Sequence, residues 1–402
     1  MKLLKGKYLL VLIAVCGMSA ASLGMLTNVS GLFFTPISEE LGVGRGSVSM
    51  TLTISNIVFA FGGIVAAKHI RSTNFRKMTI IAAVVFSGCT ALLAICRSLI
   101  PLYLFNAIRG FAAGLVGIVT VTMIITNWYY TNTGMITSIA MGFSGVSGAI
   151  FSPVLSAVIE KAGWRTAYVV DGVVILLMFF PAIFFPIAFR AEDMDMELMG
   201  YTPDNTAKAV SSSTEASKGI DRRLMGMALF YTVLVGIVSS FPQHMPGIAA
   251  SYGFAASVGS GMLSAALVAN TCSKLLFGAL GDKIGAKRTI FIYCLVFTAA
   301  AILMFIVRVP GLMIPFSALY GAVYALATVS IVMLCRDTFG VANYAATYPK
   351  MSMVMSIVNA VGTTVHGYIY DWSGTYSISL VMCAAIGILA IIITFGIYQK
   401  KK

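Results

Sequence analysis

Twelve apolar stretches dominate the chain, near 8–28, 47–67, 78–96, 99–126, 134–158 and 167–189, and then near 224–242, 256–280, 289–308, 311–335, 342–368 and 375–398. Each approaches or exceeds the ~20 residues that an α-helix needs to cross the hydrocarbon core of a bilayer. A backbone in lipid must satisfy its own hydrogen bonds, so only helices and closed barrels can span it. These runs are rich in Gly and Ala and show little period-two alternation, which predicts helices. The expected fold is therefore an all-α polytopic membrane protein with twelve transmembrane helices. Composition agrees: 59% of the 402 residues are hydrophobic and only 10% are charged, against ~25% charged in soluble domains. A soluble enzyme is excluded.

The chain carries 27 Lys and Arg against 14 Asp and Glu. With both termini placed on the cytoplasmic side, nineteen cations fall on that side, among them Lys2, Lys5, Lys7, Lys208, Lys218, Lys401 and Lys402, and five on the other. This is the positive-inside pattern, so the basic excess reads as topology and does not imply a nucleic-acid partner. The N-terminus, with its lysines and the small residues Ser19 to Ser22, imitates a signal peptide, and Ile13-Ala14-Val15-Cys16 imitates a lipobox. Cleavage would strip one helix from a matched set, so an uncleaved first span is expected. The 7 Cys lie in apolar runs without ligand spacing and read as core residues. His69, His244 and His366 are scattered along the sequence, and neither a metal nor a cofactor is expected.

The segment 191–221 is acidic at its start, Ser- and Thr-rich later, and without apolar periodicity. It reads as a cytoplasmic linker between a bundle over 1–190 and a second over 222–402. The bundles are related in sequence. One offset of 211 residues places Ala67 on Gly278, Gly42 on Gly253, Arg76-Lys77 on Lys287-Arg288, Arg109 on Tyr320 and Trp128 on Phe339. Two six-helix repeats of this kind suit a transporter that rocks around a site at the membrane midplane.

The run Gly278-x-x-x-Asp282-Lys283-x-Gly285-x-Lys287-Arg288 resembles the loop motif of the major facilitator superfamily, at the place of its second copy between spans eight and nine. The first copy is degenerate, with Ala67, Arg71 and Asn74 in place of Gly, Asp and Gly. Physically the motif can act as a latch: Gly278 admits a neighbouring helix, and Asp282 beside Lys283, Lys287 and Arg288 can make charge-assisted contacts in one conformation only. Further pieces resemble the oxalate/formate antiporter and monocarboxylate transporter branch: Phe33 to Gly46, Gln243-His244, Gly163-Trp164-Arg165, and Phe339-Gly340 with Asn343. In span eight, Asn270-x-x-x-Lys274-x-x-x-Gly278 is similar to that branch's pattern, in which the Lys position is usually an Arg that binds the substrate carboxylate. Lysine keeps the charge but lacks the bidentate fork.

Three cations fall inside predicted helices: Arg109 on span four, Lys274 on span eight and Lys350 on span eleven. Each acid can be placed in a loop or at a helix end, with Asp171 entering span six by at most one turn. An uncompensated Lys or Arg at mid-membrane costs ~2.5 to 3.5 kcal/mol on insertion scales, and a small anion between Lys274 and Lys350, both ~12 Å from the cytoplasmic boundary, would explain the arrangement. Tyr320 and Tyr324, four apart on span ten, are expected to share a face and offer hydroxyls to it. Gly142, Gly145 and Gly148 with Pro153 read as helix packing, with a faint resemblance to the superfamily's antiporter motif.

These observations predict a monomeric transporter of small organic anions, mono- or dicarboxylates, working by alternating access. Lacking a buried carboxylate to carry protons, it would exchange one anion for another or move substrate and proton together. A multidrug exporter of the same fold is the rival, and a nutrient sensor that kept the fold but lost transport is the alternative of another class. No nucleophile, base or metal cluster marks a membrane enzyme.

Overall fold

Where the sequence alternates long apolar runs with short polar ones, the computed structural model forms helices; it describes residues 6–71, 73–131, 133–200 and 220–400. Span one is Lys7–Asn28, span two Arg45–His69, span three Phe75–Ile95 and span four Leu99–Trp128. Spans five and six are one run, Thr133–Phe184, broken only at Gly163, where φ is +80°. Span seven is Arg222–Ser251, eight Ala256–Ile284, nine Ala286–Ile306, ten Pro310–Gly340 and twelve Ser377–Gln399. Span eleven is the part of helix Ile331–Ser373 that follows Gly340, again a single residue at positive φ, +75°. Asn343, Thr347, Lys350, Asn359, Thr363 and His366 make it less apolar than its neighbours.

The chain forms two compact units. Unit one comprises Met1–Val43 and Met50–Thr206, and unit two Gly44–Ser49 and Ala207–Lys402. Residues 44–49, expected within the first bundle, thus group with the second. Residues 191–200, at the start of the expected linker, fold against unit one: Met199 donates its N–H to the Trp128 carbonyl at 2.9 Å, and the Tyr8 hydroxyl donates to the Glu197 carbonyl at 2.8 Å. Residues 201–219 of that linker, with Lys208 and Lys218, and the terminal Lys2, Lys5, Lys401 and Lys402, lie outside the described residues.

Within each unit the packing repeats. Span three packs on span six as span nine packs on span twelve, and span seven lies along span eleven. The offset of 211 relates contacts as well as residues. A Cβ on Gly110 would stand 2.4 Å from the Ser55 carbonyl oxygen, and a Cβ on Gly321 would stand 2.6 Å from that of Ala266. Span four on span two, and span ten on span eight, therefore approach through a glycine at the same place, the small-residue packing that membrane helices use in place of a hydrophobic driving force. Ile81, Leu104, Leu177, Phe184, Leu275 and Ile392 point outward, as a bilayer-facing surface requires.

Candidate functional site

In unit two, Lys274 lies ten residues before the end of span eight at Ile284, ~15 Å of helix. Its ammonium is half-buried and makes no hydrogen bond or ion pair among the described residues. One turn earlier on the same face stands Asn270, 5% exposed, whose side-chain oxygen also lacks a partner. A lone cation and a lone amide oxygen at i and i+4 are unsatisfied groups of the kind a polar ligand completes. Lys350, ten residues past Gly340 and directly after Pro349, is exposed and likewise carries no hydrogen bond or ion pair among the described residues.

The tyrosines of span ten differ from expectation. The helix that begins at Pro310 ends at Tyr320 and resumes at Val323 before a π-helical stretch, Leu326–Ser330. The regular phase that would put Tyr320 and Tyr324 on one face is interrupted where Gly321 presses on span eight. Tyr320 is fully buried against Phe241 and Phe297, and its hydroxyl donates to the Val238 carbonyl at 3.0 Å. It packs the unit and offers no free hydroxyl. Tyr324 is half-buried, with Gln243 beside its hydroxyl.

The loop motif between spans eight and nine also departs in detail. A Cβ on Gly278 would meet nothing within 4 Å, so the close approach expected there is absent; Gly281 takes that role, where a Cβ would press on Met333 at 2.4 Å. Gly285 ends span eight with φ +84°, a left-handed conformation that glycine adopts without strain. Its counterpart Asn74 sits at φ −119° and instead holds the turn with its amide, accepting the Arg71 N–H at 2.8 Å and donating to the His69 carbonyl at 2.7 Å. Asp282 is exposed and pairs with none of Lys283, Lys287 or Arg288; Lys287 lies 4.6 Å from the Phe395 ring centroid.

In unit one, Arg109 is 2% exposed. One terminal nitrogen reaches the Leu26 carbonyl of span one at 3.5 Å, while Nε and Nη1 have no partner. The guanidinium carbon is 5.9 Å from the centre of the Tyr168 ring on span six, and that ring is stacked by Phe33 at 4.0 Å. Three residues beyond Tyr168 comes Asp171, 1% exposed, with neither carboxylate oxygen hydrogen-bonded. Arg109 is the charge that acts on it. This corrects the expectation that every acid lies in a loop or within one turn of a helix end. Span six begins directly after Gly163, without a loop, so Asp171 is carried two turns into the unit.

Sequence reasoning gave Arg45 no role beyond being one of the five cations on the non-cytoplasmic side. In unit two its guanidinium lies 4.0 Å over the Tyr370 ring and donates to the Gly247 carbonyl at 3.3 Å. Asp371 accepts the Arg45 and Gly46 backbone N–H groups, both at 2.7 Å. Two histidines that are distant in sequence come together as well, with the rings of His244 and His366 5.9 Å apart. The Nδ1 of His244 faces the Tyr376 hydroxyl at 3.2 Å and its Nε2 the Thr363 carbonyl at 2.8 Å, so both ring nitrogens are engaged inside the protein. No group of three or more metal-ligating side chains forms among the described residues.

The family model of the Major Facilitator Superfamily matches residues 15–246 and 224–402. The uncharacterized MFS-type transporter YcxA of Bacillus subtilis is 23% identical over 171 residues, 41% of this chain and 41% of that protein. The "Probable sulfoacetate transporter" SauU of Cupriavidus necator is 24% identical over 186 residues, 44% of this chain and 43% of that protein. The chain thus spans less than half the length of either curated relative. Among solved structures, a mutant of the nucleoside transporter NupG superposes with TM-score 0.73 at 12% identity, over 96% of this chain and 100% of that one. A bacterial homologue of the human lysosomal transporter Spinster, inward-facing and occupied, gives 0.72 at 14%, over 98% and 97%. At these identities the likeness is one of fold.

Proposed function

Because this chain belongs to the Major Facilitator Superfamily, we propose that it is a secondary active transporter of small organic anions, mono- or dicarboxylates, that works by alternating access. It acts in the cytoplasmic membrane as a monomer with both termini inside, the orientation that the nineteen-to-five distribution of cations favours. It exchanges anions or carries them with protons.

The observation that carries this reading is the pair Asn270 and Lys274: an ammonium without a counter-charge, one turn from an amide oxygen without a donor. A carboxylate answers the first, and a protonated or hydroxyl-bearing substrate group answers the second. Lys350 supplies further positive charge from span eleven, and Tyr324 a hydroxyl from span ten. Arg109 adds a cation in unit one. The sulfoacetate named for the relative in Cupriavidus necator carries two anionic groups on a two-carbon frame, which suits a site rich in lone cations.

The test is a thermal-shift screen of purified, detergent-solubilised protein against mono- and dicarboxylates, sulfoacetate, phosphate, neutral solutes and cationic dyes, repeated on Lys274→Ala. A ligand at a hundred times its Kd stabilises by about 2.7 kcal/mol, and the expected result is carboxylate stabilisation that disappears in the variant. In proteoliposomes, the Lys274→Ala, Lys350→Ala double variant should lose flux of the stabilising anion, and wild-type flux would reject the reading. Asp171 gives the multidrug exporter one supporting observation, a buried acid, although Arg109 stands close enough to act on it. Stabilisation only by cationic dyes, indifferent to Lys274, would put the exporter first.

A further inference from the structure

Two amphiphilic stripes flank the turn between spans two and three, in unit one. On span two, Lys68, Ile64 and Phe61 lie four and then three residues apart, the spacing of one helix face. Lys68 is exposed at the end of the span, with Ile64 53% and Phe61 59% exposed along the helix beyond it. On span three, Lys77, Ile81 and Val84 repeat the pattern from the other side of the turn, with Ile81 60% and Val84 55% exposed. Each face is a cation at the membrane boundary followed by apolar side chains that the described residues leave open.

The turn adds to the charge, since Arg71 and Arg76 are exposed as well. Among the described residues, none of Lys68, Arg71, Arg76 and Lys77 forms an ion pair, and their only side-chain hydrogen bond runs from Arg76 to the Ile183 carbonyl at 3.0 Å. The acids that follow span six, Glu192, Asp193, Asp195 and Glu197, pair with none of them, and the first turn of span three holds no acid. The turn is fixed from within: Ile70 and Phe75 are buried, Phe75 against Phe189 at 5.7 Å, and the Asn74 amide ties the Arg71 N–H to the His69 carbonyl. Four like charges held to one short turn repel one another, which an anion from outside the chain relieves. By the offset of 211, Lys68 and Arg71 answer to Ala279 and Asp282. The loop of unit two thus sets an acid among its cations, whereas that of unit one has exchanged the acid for an arginine and kept no counter-charge of its own.

We propose that this turn binds the headgroup of an anionic phospholipid, whose acyl chains lie along the open apolar faces of spans two and three. The lipid phosphate answers the cations, and the Arg71 guanidinium can offer it two parallel N–H groups. The stripes identify the occupant as a lipid: free phosphate satisfies the charge and leaves the apolar faces uncovered, whereas a phospholipid meets both at once. Cations at a membrane boundary serve topology wherever they stand, but topology does not require that they be gathered on a fixed turn from which the acid is gone. The site lies wholly within unit one and involves neither Lys274 nor the transported anion, so it stands apart from the anion reading above.

The experiment is native mass spectrometry of the detergent-solubilised protein, titrated with phosphatidylglycerol, with phosphatidylcholine and with inorganic phosphate. Wild type should retain phosphatidylglycerol in preference to phosphatidylcholine, and inorganic phosphate, which has the charge without the chains, should not displace it. A basic residue at an anionic membrane surface strengthens binding about fivefold, so Arg71→Asp, which changes the charge by two, should weaken phosphatidylglycerol roughly twenty-five-fold. Lys161→Gln, which removes an exposed cation elsewhere in unit one, should leave it unchanged. Should Arg71→Asp fail to fold, Arg71→Gln serves instead, with a loss of about fivefold. Equal retention of the two lipids by wild type, wild-type affinity in Arg71→Asp or Arg71→Gln, an equal loss in Lys161→Gln, or displacement by inorganic phosphate overturns the proposal.

Discussion

The carboxylate of Asp371 caps the helix that begins at Arg45, accepting the backbone N–H groups of Arg45 and Gly46 from more than three hundred residues away. The first N–H groups of a helix have no partner within it, and a carboxylate there also meets the positive end of the helix dipole. Gly44 is part of the fit, since a Cβ would stand 2.4 Å from an Asp371 oxygen. Asp371→Ala should therefore destabilise the purified protein by about 1 to 2 kcal/mol, the usual cost of a lost cap, read as a lower unfolding temperature. Asp371→Asn, which can still accept one N–H, should lose less.

Glu40 gives the protein an acid-sensitive contact. The hydrogen bond from Arg165, at 2.6 Å, holds its carboxyl below the ordinary range, with Trp164 assisting. A group whose value is depressed by folding contributes stability above its unfolded value, about 4.3 for Glu, and loses it as the pH falls through the folded one. The unfolding temperature of wild type should fall as the pH is lowered through the carboxylate range. In Glu40→Gln that part of the acid slope should vanish, and stability at neutral pH should be lower than in wild type.

Asn270 offers a measure of what a neutral partner adds beside Lys274. A hydrogen bond between neutral groups contributes about 0.5 to 1.5 kcal/mol, so Asn270→Ala should weaken a stabilising anion that also carries a hydroxyl or protonated group roughly two- to tenfold while leaving the unliganded unfolding temperature nearly unchanged. Isothermal titration on both proteins measures this. Equal affinities would remove Asn270 from the site.

Asp282 makes no ion pair among the described residues, and the latch expected from the sequence would have its contacts form in another conformation. Asp282→Asn should insert and melt like wild type, within about 0.5 kcal/mol as for other exposed sites, yet carry substrate more slowly. Unchanged rates would leave the motif as a topological anchor.

Much of the fold was legible because lipid imposes length and apolarity on every span, and because a repeat leaves matched residues at one offset. Gly42 and Gly253, aligned by the offset of 211, both take positive φ, +64° and +72°. Gly110 and Gly321 meet matched carbonyls. Elsewhere the sequence misled in identifiable ways. Hydropathy locates the middle of a span and says little about its start, so the single-residue joint at Gly163 hid the depth of Asp171. Helical phase was assumed through Gly321, where packing on span eight interrupts it. Tyr320 shared a predicted face with Tyr324, but its hydroxyl was spoken for by the carbonyl of Val238, on a helix whose proximity no local pattern reports. Arg45 and the two histidines acquire partners only through tertiary contacts, which leave no periodic trace.

The joints at Gly163 and Gly340 bear on how the chain assembles. The entropy lost in bringing two segments together grows with the length of chain between them, and here that length is one residue. Spans five and six, and likewise ten and eleven, have almost nothing to search for once both are in the bilayer. Each pair should close as an early hairpin during insertion, and the remaining spans then dock onto two preassembled corners.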